Sequence, residues 1–155
     1  MPDQTTFPLD EQIRRCAILI SHSWEEKHLT FSAELESVDC TSNEELLRQV
    51  WINLLNNAIR YTPPGGEIGV ELRQVGGEVV VRGWDTGSGM TPEVQSHIFE
   101  KYYQGAAEDK KHGLGLGLSI VHRIIELTEG RIEVDSQPEQ GSSFTVYLPL
   151  NQKGA

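Results

Sequence analysis

The chain has 155 residues, and 13 Lys plus Arg against 23 Asp plus Glu leave a formal charge of -10 with histidine neutral. That length suits one domain, residues 1–155 with a core over about 9–150, and no stretch approaches the roughly 18 to 20 continuous apolar residues of a membrane span. The acidic balance argues against non-specific nucleic-acid binding, which needs Lys and Arg to release counterions from phosphates, while Cys16 and Cys40 have neither CxxC spacing nor scaffold density and read as free thiols.

The amino end, Met1 to Asp10, lacks the charged-then-apolar build of a signal peptide, so the expected compartment is the cytoplasm. Leu9, Ile13, Cys16, Ala17, Ile20 and Trp24 recur at helical spacing and predict one amphipathic helix over about 9–26. Leu29, Phe31, Ala33 and Leu35 alternate with polar residues as in a half-buried strand. A turn is expected through Asp39 to Ser42, and Ser42 with Glu45 has the form of a capping box, so a second helix should start there and run to about Arg60. Thr62-Pro63-Pro64-Gly65-Gly66 ends it.

Residues 67–74 and 78–84 predict a hairpin turning at Gly76-Gly77. Thr91-Pro92-Glu93 marks the start of a short helix reaching about Phe99. After a polar segment, Gln104 to His112, a third long helix is expected from Leu116 to Glu129 with Gly130 as its C-cap. Two closing strands, 131–135 and 143–148, follow. Helices and strands mix without regular alternation, which predicts an α+β fold with a mixed sheet covered on one face by helices.

Three segments carry chemistry. On the second helix, Asn53, Asn57 and Arg60 fall within roughly 60° of one another beside the stripe of Leu47, Val50, Leu54 and Ala58. Two asparagines on a helix commonly form a solvated face. Here, with a cation one turn on, an amide oxygen suits Mg²⁺ and an amide NH₂ suits phosphate. The second segment, Asp85-Thr86-Gly87-Ser88-Gly89-Met90, follows a strand and precedes a capped helix. Its glycines allow close approach to a flat ligand, and the Asp85 carboxylate suits an exocyclic amine such as that of adenine. A glycine turn without function is the plain alternative, and Asp85-Thr86-Gly87-Ser88 after Trp84 also matches the catalytic loop of aspartic proteases, whose two carboxylates share a proton. The helical content argues against that reading. The third segment is His112-Gly113-Leu114-Gly115-Leu116-Gly117-Leu118, where bare backbone N–H groups at a helix start suit phosphates. It has neither the GxGxxG spacing of a Rossmann turn nor the Gly-Lys-Ser/Thr ending of a Walker A loop.

In order and spacing these segments resemble the catalytic and ATP-binding domain of sensor histidine kinases, within the ATPase group shared with gyrase, Hsp90 chaperones and MutL. The resemblance runs from about Leu9 to Leu150. Asn53 to Tyr61 is similar to the N box, Asp85 to Met90 to the first glycine box, Ile98 to Gln104 to the F box, Gly113 to Leu118 to the second glycine box, and Gly141 to Phe144 to the last box. It implies a two-layer α/β sandwich of the Bergerat type, about three helices on a mixed five-stranded sheet. Asn57 would ligate Mg²⁺, with Asn53 and Arg60 near the phosphates and Tyr61 near the nucleotide. Asp85 would hold the adenine amine, Gly87 and Gly89 would line the base pocket, and Gly113, Gly115 and Gly117 would clasp the triphosphate. The resemblance further implies that Met90, Lys101, Tyr103, Gln104, Leu114, Leu116, Leu118 and Ser143 surround the ATP.

Gln104 stands where many members have an arginine that grips the γ-phosphate, with Lys101 or Lys110 as partial substitutes, and Glu139 replaces a glycine of the last box. None of His22, His28, His97, His112 and His122 has the setting of a phosphoacceptor. The implied activity is therefore that of a kinase fragment. It would bind Mg-ATP and present the γ-phosphoryl group to a histidine on a separate helical-hairpin domain of its parent, for relay to a response regulator, without phosphorylating itself. The expected location is a cytoplasmic domain that itself makes no membrane contact, in a membrane-anchored parent. The alternatives are an anti-sigma-type protein serine kinase, whose N box usually carries a glutamate base where this helix has none nearer than Glu45, and a non-catalytic nucleotide sensor.

Overall fold

The computed structural model describes residues 4–99 and 117–151. The elements follow as β1 (Thr5–Pro8), α1 (Leu9–Leu19), α2 (Ser21–Glu26), β2 (Thr30–Leu35), β3 (Asp39–Ser42), α3 (Glu44–Tyr61), β4 (Glu67–Val75), β5 (Glu78–Asp85), α4 (Pro92–His97), α5 (Gly117–Leu127), β6 (Arg131–Ser136) and β7 (Ser142–Pro149). Five strands make one mixed sheet in the order β2-β4-β5-β7-β6, with β2 parallel to β4 and the other neighbours antiparallel. Helix α3 packs against α1, α5 and β5, giving the expected two-layer α+β sandwich.

The apolar stripe of α3 explains its place at the centre. Leu47, Val50, Trp51, Leu54, Leu55, Ala58 and Ile59 are all buried, the first five in one cluster with Val70, Leu72, Val79, Val81, Phe144 and Val146 of the sheet and the last two in a second with Leu29 and Ile68. Burying each such aliphatic side chain contributes about 1.5–3 kcal/mol. The helix is started by Asn43, whose side chain accepts from Leu46 N at 2.8 Å, and Glu44 and Glu45 face the positive end of its dipole. Ser42 is therefore not the cap. It is the last residue of β3, 3% exposed. The expected turn over 39–42 is likewise a strand, paired antiparallel with β1 from Thr5↔Ser42 to Pro8↔Asp39. Four-residue strands are too short for alternation to reveal.

The single helix expected over 9–26 is broken at Ile20 into α1 and α2. Ser21, His22 and Ser23 are weak helix formers, and the Ala17 carbonyl freed at the break accepts Trp24 Nε1 at 3.4 Å. At the other end of the chain, α5 closes in a Schellman arrangement, with Glu129 N to Glu126 O at 3.1 Å and Gly130 N to Ile125 O at 2.9 Å. The left-handed residue is Glu129 (φ 65°), not Gly130. Gly130 is required for space instead: a Cβ there would lie 2.4 Å from Tyr147 O. The β4–β5 hairpin turns where expected, with Gly76 at φ 59°. Cys16 and Cys40 are buried free thiols, and burial pushes both up to about 11. No helix among the described residues is long and apolar enough to cross a membrane.

Candidate nucleotide-binding site

Asp85 ends β5 with its side chain toward the helical layer, 7% exposed. Its Oδ1 accepts from Gly87 N at 2.8 Å, and a second backbone donor, Ser142, also bonds the carboxylate. Burial pushes the carboxyl above its ordinary value, and the two backbone donors pull it part of the way back. A buried carboxylate held this way keeps acceptor capacity for one more donor, which an amino group on a flat heterocycle supplies.

The loop after Asp85 is stitched to both neighbours. Ser88 N donates to Tyr61 O at 3.2 Å, Glu139 N donates to Ser88 O at 2.5 Å, and Met90 N donates to Ser136 Oγ at 2.8 Å. Gly87 approaches α3 so closely that a Cβ would sit 2.2 Å from Tyr61 O, and at Gly89 (φ 69°) a Cβ would meet Gln137 O at 1.8 Å. The end of α3 is fixed in turn by Lys27, whose Nζ donates to Ile59 O at 2.6 Å and Arg60 O at 3.4 Å. A cation on the last carbonyls of a helix is favoured by its dipole.

Asn57 on α3 and Asp85 on β5 line one narrow cleft, with Ala58, Gly83, Val81 and Phe144 among its walls; its free volume of about 20 Å³ is that of a single water, so a heterocycle enters only as the walls move apart. Asn53 lies one turn before Asn57 and Arg60 one turn after it. Gly117, the first residue of α5, stands beside Asn53, since a Cβ on it would lie 3.9 Å from Asn53 Oδ1. The helix whose start was expected to meet phosphates is thus adjacent to the polar edge of α3. Tyr61 closes the same helix, half-buried. Leu118 and the Met90 side chain are half-buried against the core. Lys101, Tyr103, Gln104, Gly113, Leu114, Gly115 and Leu116 lie outside the described residues.

Two residues of the site were not singled out in the sequence, and one that was is placed elsewhere. The β5–β7 ladder sets Asp85 opposite Ser142 and Trp84 opposite Ser143. Side chains alternate across a strand, so Ser142 shares the face of Asp85 and Ser143 points to the other side of the sheet. The Ser142 hydroxyl is bonded to Ser136 Oγ at 2.9 Å. Gly83, two residues before Asp85 on the same face, leaves open floor: a Cβ there meets nothing within 4 Å. Period-two counting back from Asp85 finds Gly83, and the register finds Ser142. The Asp85-Thr86-Gly87-Ser88 match to aspartic proteases does not stand, because Asp85 lies beneath a helical layer. A surface groove of about 690 Å³ lies apart from this cleft, between α1 and the start of α3, with Arg15 and Arg48 on its walls.

Residues 42–152 match the family described as histidine kinase-, DNA gyrase B-, and HSP90-like ATPase. The chain is 39% identical over 150 residues to the adaptive-response sensory kinase SasA of Microcystis aeruginosa, an alignment covering 95% of this chain and 39% of that protein. The chain therefore spans about two fifths of that relative's length. Its fold matches the catalytic domain of histidine kinase ThkA with a TM-score of 0.86 at 29% identity over 97% of both chains. In its complex with the response regulator protein TrrA, ThkA matches at 0.80 and 28% identity, over 95% of this chain and 42% of that one. Full-length ShkA, solved with AMPPNP, matches at 0.87 and 27% identity, over 100% of this chain and 33% of that chain. With the family match running from the end of β3 past the end of β7, the chain belongs to the histidine kinase-, DNA gyrase B- and HSP90-like ATPases.

Proposed function

We propose that this chain is the catalytic and ATP-binding domain of a sensor histidine kinase, one domain of a longer parent, presenting the γ-phosphoryl group of ATP to a histidine on a separate phosphoacceptor domain. The observation that carries this reading is the convergence of Asp85 and Asn57 on one cleft. Asp85 accepts the adenine amine, Gly83 gives the base floor space, and Gly87 and Gly89 let the loop after Asp85 pack tightly against Tyr61 O and Gln137 O, which holds the carboxylate in place. Asn53 and Arg60 then face the phosphates along the edge of α3, where Gly117 opens α5. Mg²⁺, when bound, neutralises part of the triphosphate charge, and the amide oxygen of Asn57 suits it as a hard ligand. Transfer in this family of geometries depends on placement and charge neutralisation more than on a strong base. A pocket built of amides, glycines and one guanidinium fits that demand. The AMPPNP held by ShkA and the regulator held by ThkA support ATP and a response regulator as the partners of the intact protein. A cytoplasmic position beside a membrane-anchored sensor region belongs to the same proposal.

The serine-kinase reading needs a general base on α3, and the acids of that helix, Glu44 and Glu45, sit in its first turn, more than two turns from Asn57. The test is transfer of labelled γ-phosphate from ATP to a separately supplied helical-hairpin domain of a SasA relative. Label on the hairpin histidine, with none on the chain alone, is the expected result. Nucleotide binding without any transfer to the hairpin would favour the non-catalytic sensor instead.

A further inference from the structure

Strand β2 is the outer strand of the five-stranded sheet, paired only with β4 among the described residues. Thr30 N bonds Gly66 O and Glu36 N bonds Leu72 O, so the even-numbered residues direct their backbone groups to β4. By alternation, the N–H and C=O groups of Phe31, Ala33 and Leu35 point outward from the sheet edge. The side chains of these three residues line an apolar groove of about 330 Å³ under α1 and α2, whose walls include Ala17, Ile18 and Trp24. Trp24 stacks on Phe31 at 5.2 Å, and Ile18 stands 66% exposed on the rim. The edge is lightly protected: Thr30-Phe31-Ser32-Ala33-Glu34-Leu35 contains no proline and no lysine, and Glu34 is its one charge.

We propose that β2 takes up an extended segment of a partner protein as a sixth strand, with apolar side chains alternating with lysine or arginine. Outward backbone groups would supply the ladder, and the groove would receive every second side chain, the division of labour by which strand addition combines affinity with specificity. Charge complementarity selects the occupant. Glu34 projects from β2 on the face away from the groove, Glu36 follows it, Glu25 lines the groove, and the one cation there, Arg14, is paired with Glu11 at 3.1 Å. A second copy of this chain would bring Glu34 and Glu36 against their own counterparts, which like-charge pairing across strands disfavours. The proposal does not rest on the function proposed for the nucleotide cleft.

The test uses the full chain and an acetylated, amidated peptide alternating Ile with Lys, followed by Trp24 fluorescence and by amide hydrogen exchange. Expected are saturable binding, slowed exchange at Phe31, Ala33 and Leu35, and a loss of roughly tenfold or more when alternate peptide nitrogens are methylated or when Lys is replaced by Glu. Ala33→Pro, which removes an outward N–H without touching the β4 ladder, should abolish binding. Should that variant not fold, Ile18→Lys on the exposed rim, which removes apolar wall and repels the basic peptide, should weaken binding similarly. Binding indifferent to N-methylation, or unprotected edge amides at saturation, would overturn the proposal. So would a concentration-dependent dimer that protects those amides without peptide.

Discussion

Replacing Asp85 by Asn separates what this residue does for the fold from what it does for the ligand. In the folded chain the carboxylate receives backbone donors from Gly87 and Ser142 in a buried setting. An asparagine keeps an amide oxygen for Gly87 N and removes the buried charge, so the loss of at most one backbone bond, about 1 kcal/mol, is opposed by relief of desolvation. The sign follows from linkage. Burial holds the folded carboxyl above its ordinary value, so the folded state retains its proton longer than the unfolded chain, and this group's contribution to stability falls as pH rises through that interval. At neutral pH the charged form is the costly one, and Asp85→Asn should change stability by no more than about 1 kcal/mol in either direction. Nucleotide binding should respond very differently. A hydrogen bond to a charged acceptor is worth about 1.5–3 kcal/mol, or roughly 10- to 150-fold in Kd, and the new amide N–H would face the adenine amine donor to donor. Titration calorimetry with an ATP analogue, beside thermal unfolding near pH 4 and pH 7, reads both quantities. Binding within about twofold of the parent chain would refute the assignment of Asp85 to the base. A fall in Tm of more than roughly 5 °C would refute the claim that the carboxylate charge is not needed by the fold.

Three further outcomes are expected. Gly89→Ala places a Cβ 1.8 Å from Gln137 O at a left-handed φ of 69°, so it should cost about 1–3 kcal/mol in urea unfolding and weaken nucleotide binding with it. Glu129→Gly relieves a left-handed C′ position at φ 65° and should raise stability by about 0.5–1 kcal/mol, a Tm gain of about 1–4 °C. Cys16 and Cys40, with burial holding both thiols up to about 11, should react with a disulfide reagent at pH 8 roughly 100-fold more slowly in the folded than in the urea-unfolded chain, because the thiolate is the nucleophile.

Much of this architecture could be read before any coordinates. The α3 stripe, the β4–β5 hairpin and the Thr91 cap, which accepts from Val94 N at 3.2 Å, follow from periodicity and local chemistry. The errors share a cause. The β1–β3 pair joins residues more than 30 positions apart through strands too short to show a period, and it moved the α3 cap from Ser42 to Asn43. The break at Ile20 comes with Trp24 Nε1 donating to the Ala17 carbonyl seven residues back, a side-chain bond that hydrophobic periodicity does not encode. In the site, Asp85 and the asparagine edge of α3 were legible because spacing fixed their faces. Ser142 was not, because choosing between it and Ser143 requires the β5–β7 register. Glu129 in place of Gly130 as the left-handed residue shows the same limit: the glycine signal was real, but it reported the closeness of Tyr147 O rather than a backbone angle.

The cleft between Asn57 and Asp85 should bind ATP with a divalent cation at Asn57. Calorimetric titration of the chain and of Asn57→Ala with an ATP analogue, each with and without Mg²⁺, tests it directly. Expected are binding by the parent chain that strengthens with Mg²⁺, and in Asn57→Ala a residual affinity that no longer responds to the metal. Folded chain that gives no heat with ATP or ADP at millimolar ligand would contradict it, as would an Asn57→Ala variant that keeps the full Mg²⁺ dependence.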